Sequence, residues 1–188
     1  MRRALALTLL LALTLLLADC AARPRTIALV PIGAVPAETL AYLRRELPAL
    51  LDAEVRVEAP IALPRAAYDP ARRQYRGSAL LAALAQRRIA NADRVVGVID
   101  GDAYAPGLAF IFGQADLPGR FAVVALGRLR GRPERALRVA VHELGHSFGY
   151  RHCEEFQCVM HHARSAGELD LQSLRYCPRE LGWWRRSG

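Results

Sequence analysis

A chain of 188 residues, 53% of them hydrophobic, is long enough for one domain with a sizeable core and too apolar for wholesale disorder. All 26 basic residues are arginine, against 18 acidic residues, for a formal charge of +8. They fall in scattered doublets such as Arg72-Arg73, Arg87-Arg88 and Arg185-Arg186, with no basic stripe and interleaved aromatics, so nucleic-acid binding is not expected. In chain order, Arg2-Arg3, the apolar run 4–18 and the small residues after Cys20 have the layout of a secretory signal peptide over 1–22. The run is shorter than the about 20 residues a membrane span needs.

Leu17-Ala18-Asp19-Cys20 resembles a bacterial lipobox, with Asp19 where a small residue belongs. Cleavage before Cys20 would leave a lipidated, membrane-anchored protein, and cleavage beyond it a soluble one. Either route places the mature chain outside the cytosol, in the periplasm, on the membrane or secreted. Residues 23–188 are expected to form a single domain and to act as a monomer.

Residues 26–33 are β-branched and bounded by Pro and Gly, which predicts a buried strand. Leu40, Leu43, Leu47, Leu50 and Leu51 have helical spacing over 36–51. Alternation predicts a strand over 54–63, and turn composition a surface loop over 64–77. A helix is expected over 78–90 with Ser78 as N-cap, then strands over 94–102, 108–116 and 120–130. Pro133 opens a long helix to 150, a cysteine-bearing loop follows, and a last helix begins near Glu168. That order predicts an α/β (α+β) fold with a mixed, twisted sheet and backing helices.

The 133–150 helix carries the chemistry. At about 100° per residue, His142 and His146 share one face with Arg135, Arg138 and Val139, while Leu137, Ala140, Val141, Leu144 and Phe148 gather on the other. Two imidazoles four apart hold zinc from one rigid element, and Glu143, about a quarter-turn away, reaches the water that zinc activates. Zinc lowers the pKa of that water from about 16 toward about 7. Glu143 then takes its proton and delivers it to the leaving amine. Gly149 can take positive φ, ending the helix and returning His152 as a third ligand.

The pattern His142-Glu143-x-x-His146-x-x-Gly149-x-x-His152 is the metzincin signature. With Cys153, Cys158-Val159-Met160 and Cys177 after it, the chain resembles the archaemetzincin family, and the likeness extends upstream through 110–116 and 122–130. The resemblance implies a zinc metallopeptidase acting on peptides or proteins, with zinc on His142, His146 and His152 and with Glu143 as general base and acid. It implies a Met-turn at Met160 in a small C-terminal lobe, and a second, structural zinc held by cysteines. Here the family's fourth cysteine is replaced by Glu180. Cys153, Cys158, Cys177 and Glu180 could complete a zinc site; in an oxidising compartment two of the sulfurs could instead form a disulfide, or all three could stay reduced.

His162 stands two residues after Met160, where some other metzincins place a tyrosine. It could hydrogen-bond the oxyanion or act as a fifth ligand, or be a solvated loop residue. Trp183-Trp184 is expected in the core, Asp100 and Asp102 in a turn with no function, and Glu154-Glu155 either in a solvated loop or repelling acidic substrates from the cleft. The alternative function is a non-catalytic zinc-binding envelope lipoprotein or interaction module.

Overall fold

The computed structural model describes residues 25–178. Strand β1 (Arg25–Ile32) is an inner strand, parallel to β2 (Ala53–Val57) on one side and to β5 (Arg94–Ile99), the central strand, on the other. β8 (Phe121–Ala125) continues the parallel sheet, and β7 (Gly113–Ala115) closes it as an antiparallel edge. β1, β5 and β8 are nearly continuous apolar runs because both faces of this mixed sheet are covered.

Strand alternation divides the core in two. Ile27, Leu29, Val96, Val98 and Val124 face α1 (Ala37–Leu51) and α3 (Pro133–Ser147). Ala28, Val30, Ile32, Val95 and Val123 face α2 (Gly77–Gln86). α1 presents Leu43, Leu47 and Leu51 to the first core, as its leucine spacing predicts.

The expected loop at 64–77 instead holds a 3-10 turn, Arg65–Ala67, and the short strands β3 (Tyr68–Asp69) and β4 (Gln74–Arg76). These join β6 (Ala103–Tyr104) in a second sheet ordered β3-β4-β6. Polar side chains stitch it: Tyr104 Oη donates to Asp69, and Gln74 Nε2 donates to Asp102. Composition hides this because the pairing partner lies across the chain. Asp102, read as a plain turn residue, accepts from both Gln74 and Arg128. The expected strands were too long as well: 54–63 ends at Val57, 120–130 at Ala125, and within 108–116 only Gly113–Ala115 is a strand. α2 starts at Gly77 with Arg76 at its N-cap, so Ser78 does not cap it, and it ends at Gln86.

After α3 comes the small C-terminal lobe, with α4 (Ala166–Leu171). Ser165 Oγ accepts from the Glu168 backbone N–H at 3.2 Å, and the Glu168 carboxylate accepts from that of Arg164 at 2.7 Å. This capping starts the helix before Glu168, earlier than predicted. The lobe is tied to α3 by Arg135, which forms a bidentate pair with Asp170 (2.9 and 2.6 Å), and by Arg138, which donates to the Gln172 carbonyl. Both arginines were placed on the histidine face by helical spacing; they serve the lobe contact instead.

Candidate active site

α3 runs along a cleft of about 620 Å³, which it lines through Val139, His142, Glu143 and His146. Its other stripe, Leu137, Ala140, Val141, Leu144 and Phe148, is in the core, as its spacing predicts. The helix ends at Ser147, and Gly149 has φ of 98°, a value unfavourable to other residues, which turns the chain back. The turn brings His152 to His146, with their Nε2 atoms 3.2 Å apart. One ring nitrogen from each of His142, His146 and His152 lies within 4.8 Å of the others.

Backbone carbonyls orient two of these rings. His142 Nδ1 is 2.7 Å from the Val159 carbonyl, and His146 Nδ1 is 2.7 Å from that of Tyr150. A carbonyl can only accept, so each Nδ1 carries the proton and each Nε2 lone pair is directed to the cluster. Burial, then the neighbouring His146, pushes His142 down to about 3; the same two causes push His152 down to about 4. Neutral imidazoles are the form that binds a metal. Three such donors on a tetrahedral edge of about 3.4 Å, for Zn–N near 2.1 Å, match the 3.2 Å observed, so the residues fit zinc.

Glu143 is 5% exposed, and burial alone raises its carboxyl to about 8. It lines the cleft between α3 and the edge strand β7. Met160 is fully buried beneath the helix, where Gly145 leaves room for its sulfur. A β-carbon there would also sit 2.9 Å from the Tyr176 ring. His162 lines the cleft beside His152, ring centroids 4.9 Å apart, outside the three-histidine cluster.

The sulfurs of Cys153, Cys158 and Cys177 also converge within 4.8 Å, and all three cysteines are free thiols. The Cys153 and Cys177 sulfurs are 3.4 Å apart, well beyond a disulfide bond. Hydrogen bonding to Cys158, then burial, pushes the Cys177 thiol up to about 12. Soft sulfur donors crowded this closely suit zinc. Glu180, Cys20 and Trp183-Trp184 lie outside the described residues. Glu154 and Glu155 are exposed and do not line the cleft.

Sequence reasoning did not single out the far wall. Arg72 donates to the Leu108 and Ala109 carbonyls, Gln74 donates to Ala109, and Arg128 stacks on Phe110 at 4.2 Å. These contacts hold residues 105–112 against the cleft. Arg151 and Arg164 were also missed, although their places next to His152 and near His162 were a signal.

The model of peptidase family M54 matches residues 37–182. The chain belongs to that family. The archaemetzincin family's curated members bear this out: the Pyrococcus abyssi archaemetzincin is 40% identical over 172 residues, covering 82% of this chain and 92% of that protein. Among solved structures, the archaemetzincin of Methanopyrus kandleri superposes with a TM-score of 0.80 at 36% identity, over 88% of this chain and 97% of that one. A zinc-dependent peptidase from Methanocorpusculum labreanum gives 0.75 at 26%, over 84% and 99%. The M54 chain is thus a zinc metallopeptidase with the fold of the archaemetzincins.

Proposed function

We propose that this M54 protein hydrolyses peptide bonds at the three-histidine cluster with Glu143 as general base and acid. The observation that carries the reading is the convergence of the His142, His146 and His152 ring nitrogens beside a buried carboxylate on the cleft floor. His142, His146 and His152 would hold the catalytic zinc, which supplies Lewis acidity that polarises the scissile carbonyl and acidifies water. Glu143 takes a proton from the attacking water and returns it to the departing amine. Burial raises the Glu143 carboxyl, which makes its carboxylate a stronger base than an exposed one. The Val159 and Tyr150 carbonyls keep two of the ligand rings aimed, and Met160 packs under the helix that carries them.

In the same reading Cys153, Cys158 and Cys177 hold a structural zinc, with Glu180 supplying the fourth donor. Residues 1–22 direct export, with lipidation at Cys20 deciding between an anchored and a free periplasmic form, and residues 23–188 act as a monomeric catalytic domain.

Hydrolysis of an unstructured peptide should be lost on chelation, return with added zinc, and be absent in His152→Ala. A wild-type protein that binds zinc at full occupancy yet cleaves no peptide would favour the non-catalytic binding module instead.

A further inference from the structure

The charge around the cleft is one-sided. Glu143 is the sole acid lining it among the described residues, whereas Arg151, Arg164, His161 and His162 surround the clustered histidines. Some arginines elsewhere have carboxylate partners, as Arg56 has Glu58 and Arg128 has Asp102. Arg151 and Arg164 are exposed, and neither guanidinium has a carboxylate partner among the described residues.

Both lie beside the clustered histidines: Arg151 adjoins His152, and Arg164 stands two residues beyond His162, whose ring is 4.9 Å from that of His152. Arg151 follows the C-terminal end of α3, beside His152. Arg164 precedes α4, which is clamped to the opening turns of α3 through Arg135 and Asp170. Along the cleft α3 rises about 10 Å from Val139 to His146, the length of about three residues of an extended peptide. Phe110, Phe112, Leu117 and Leu169 give the cleft lining a largely apolar character. An extended substrate across the histidines therefore meets apolar surface together with two guanidiniums that no carboxylate of the described residues neutralises.

We infer that the cleft selects peptides bearing acidic side chains close to the cleaved bond, with Arg164 and Arg151 receiving their carboxylates. This rests on the peptidase reading for what is cleaved, but the preference is a property of binding. Each contact is solvent-exposed, so each is worth about threefold in affinity and the two together about tenfold. Both should weaken as salt screens them.

The test uses three fluorescein-labelled peptides, identical except for Glu, Gln or Lys at both flanking positions. They are titrated against zinc-loaded Glu143→Gln protein, so that binding is read without turnover. The Glu peptide is expected to bind about tenfold tighter than the Gln peptide, and the Lys peptide weaker than either. Arg151→Gln and Arg164→Gln should each bring the Glu-to-Gln ratio to about three, and the double variant to about one. Arg88→Gln, beyond the end of α2 and away from the cleft, should leave the ratio in place and so separates a local preference from the bulk +8 charge. Equal binding of Glu and Gln peptides, no binding of any, a ratio unmoved in the double variant, or one moved as far by Arg88→Gln overturns the inference. Hydrolysis of the Gln peptide by wild-type protein reports separately on the peptidase reading. If it is not cleaved while the Glu preference holds, that reading fails and the preference stands.

Discussion

Gly113 on the edge strand lies directly against Glu143 on α3: a β-carbon at 113 would stand 2.6 Å from both Cγ and Oε1 of the glutamate. The same β-carbon would be 2.7 Å from the Val123 carbonyl, so the backbone of β8 blocks retreat on that side. Sheet edge and helix thus share one small volume, and the carboxylate's position depends on there being no side chain at 113.

Gly113→Ala should therefore displace the Glu143 carboxylate without touching a histidine. A shift of about 1 Å in a proton-transferring group costs about 100-fold in rate. The expected outcome is a fall of about 10- to 100-fold in kcat at unchanged zinc content, read by steady-state kinetics with metal analysis. Wild-type kcat in this variant would mean that Glu143 is not positioned by the edge strand.

The two donor clusters share backbone. Cys153 directly follows His152, its N–H donates to the Met160 carbonyl, and the Val159 carbonyl orients His142. Cys158→Ser should loosen that segment and weaken zinc binding at the histidines about 10- to 100-fold, as loss of an orienting partner does. A competition titration with a chromogenic chelator measures it. Affinity within twofold of wild type would show the histidine site to be independent of the sulfurs.

Gly145→Ala would drive a methyl group into Met160 and the Tyr176 ring, whose hydroxyl donates to the Val141 carbonyl at 2.7 Å. Overpacking of this kind costs about 1–3 kcal/mol. Denaturant unfolding should show that loss, and Met160→Ala in the same chain should recover part of it by relieving the contact. An unchanged midpoint for the single variant would place the methionine elsewhere.

Asp170 gives the joint between α3 and α4 an acid limit. Hydrogen bonds from the Arg135 guanidinium hold its carboxyl below the usual aspartate range. A carboxyl depressed in the folded state stabilises above the unfolded pKa, and that contribution is lost as pH falls through the folded one. Stability should thus decline below about pH 4, and Asp170→Asn should flatten that limb in thermal melts taken across pH. Identical acid limbs in the two proteins would remove Asp170 from the account.

The sequence made some of this legible and hid the rest for physical reasons. The histidine pair, the apolar stripe of α3 and the Gly149 turn follow from helix period and backbone sterics, which are local, and the structure has them where spacing predicts. Ser165 and Glu168 have the capping spacing that marks the start of α4, yet the helix was expected only from near Glu168. The wall at 105–112 was not. Its path is set by Arg72 and Gln74 reaching carbonyls some 35 residues away, and no periodicity encodes that. The same holds for Arg135 and Arg138: the helix fixed their direction, but only the docking of the C-terminal lobe decided that they would meet Asp170 and Gln172 and not the metal site.

The central claim, that Glu143 moves the proton at a zinc site built by His142, His146 and His152, is tested most directly by the hydrolysis rate of zinc-replete Glu143→Gln protein. The account predicts zinc at the wild-type level and a rate lower by about 1000-fold. A rate within tenfold of wild type, with the metal still bound, would contradict it.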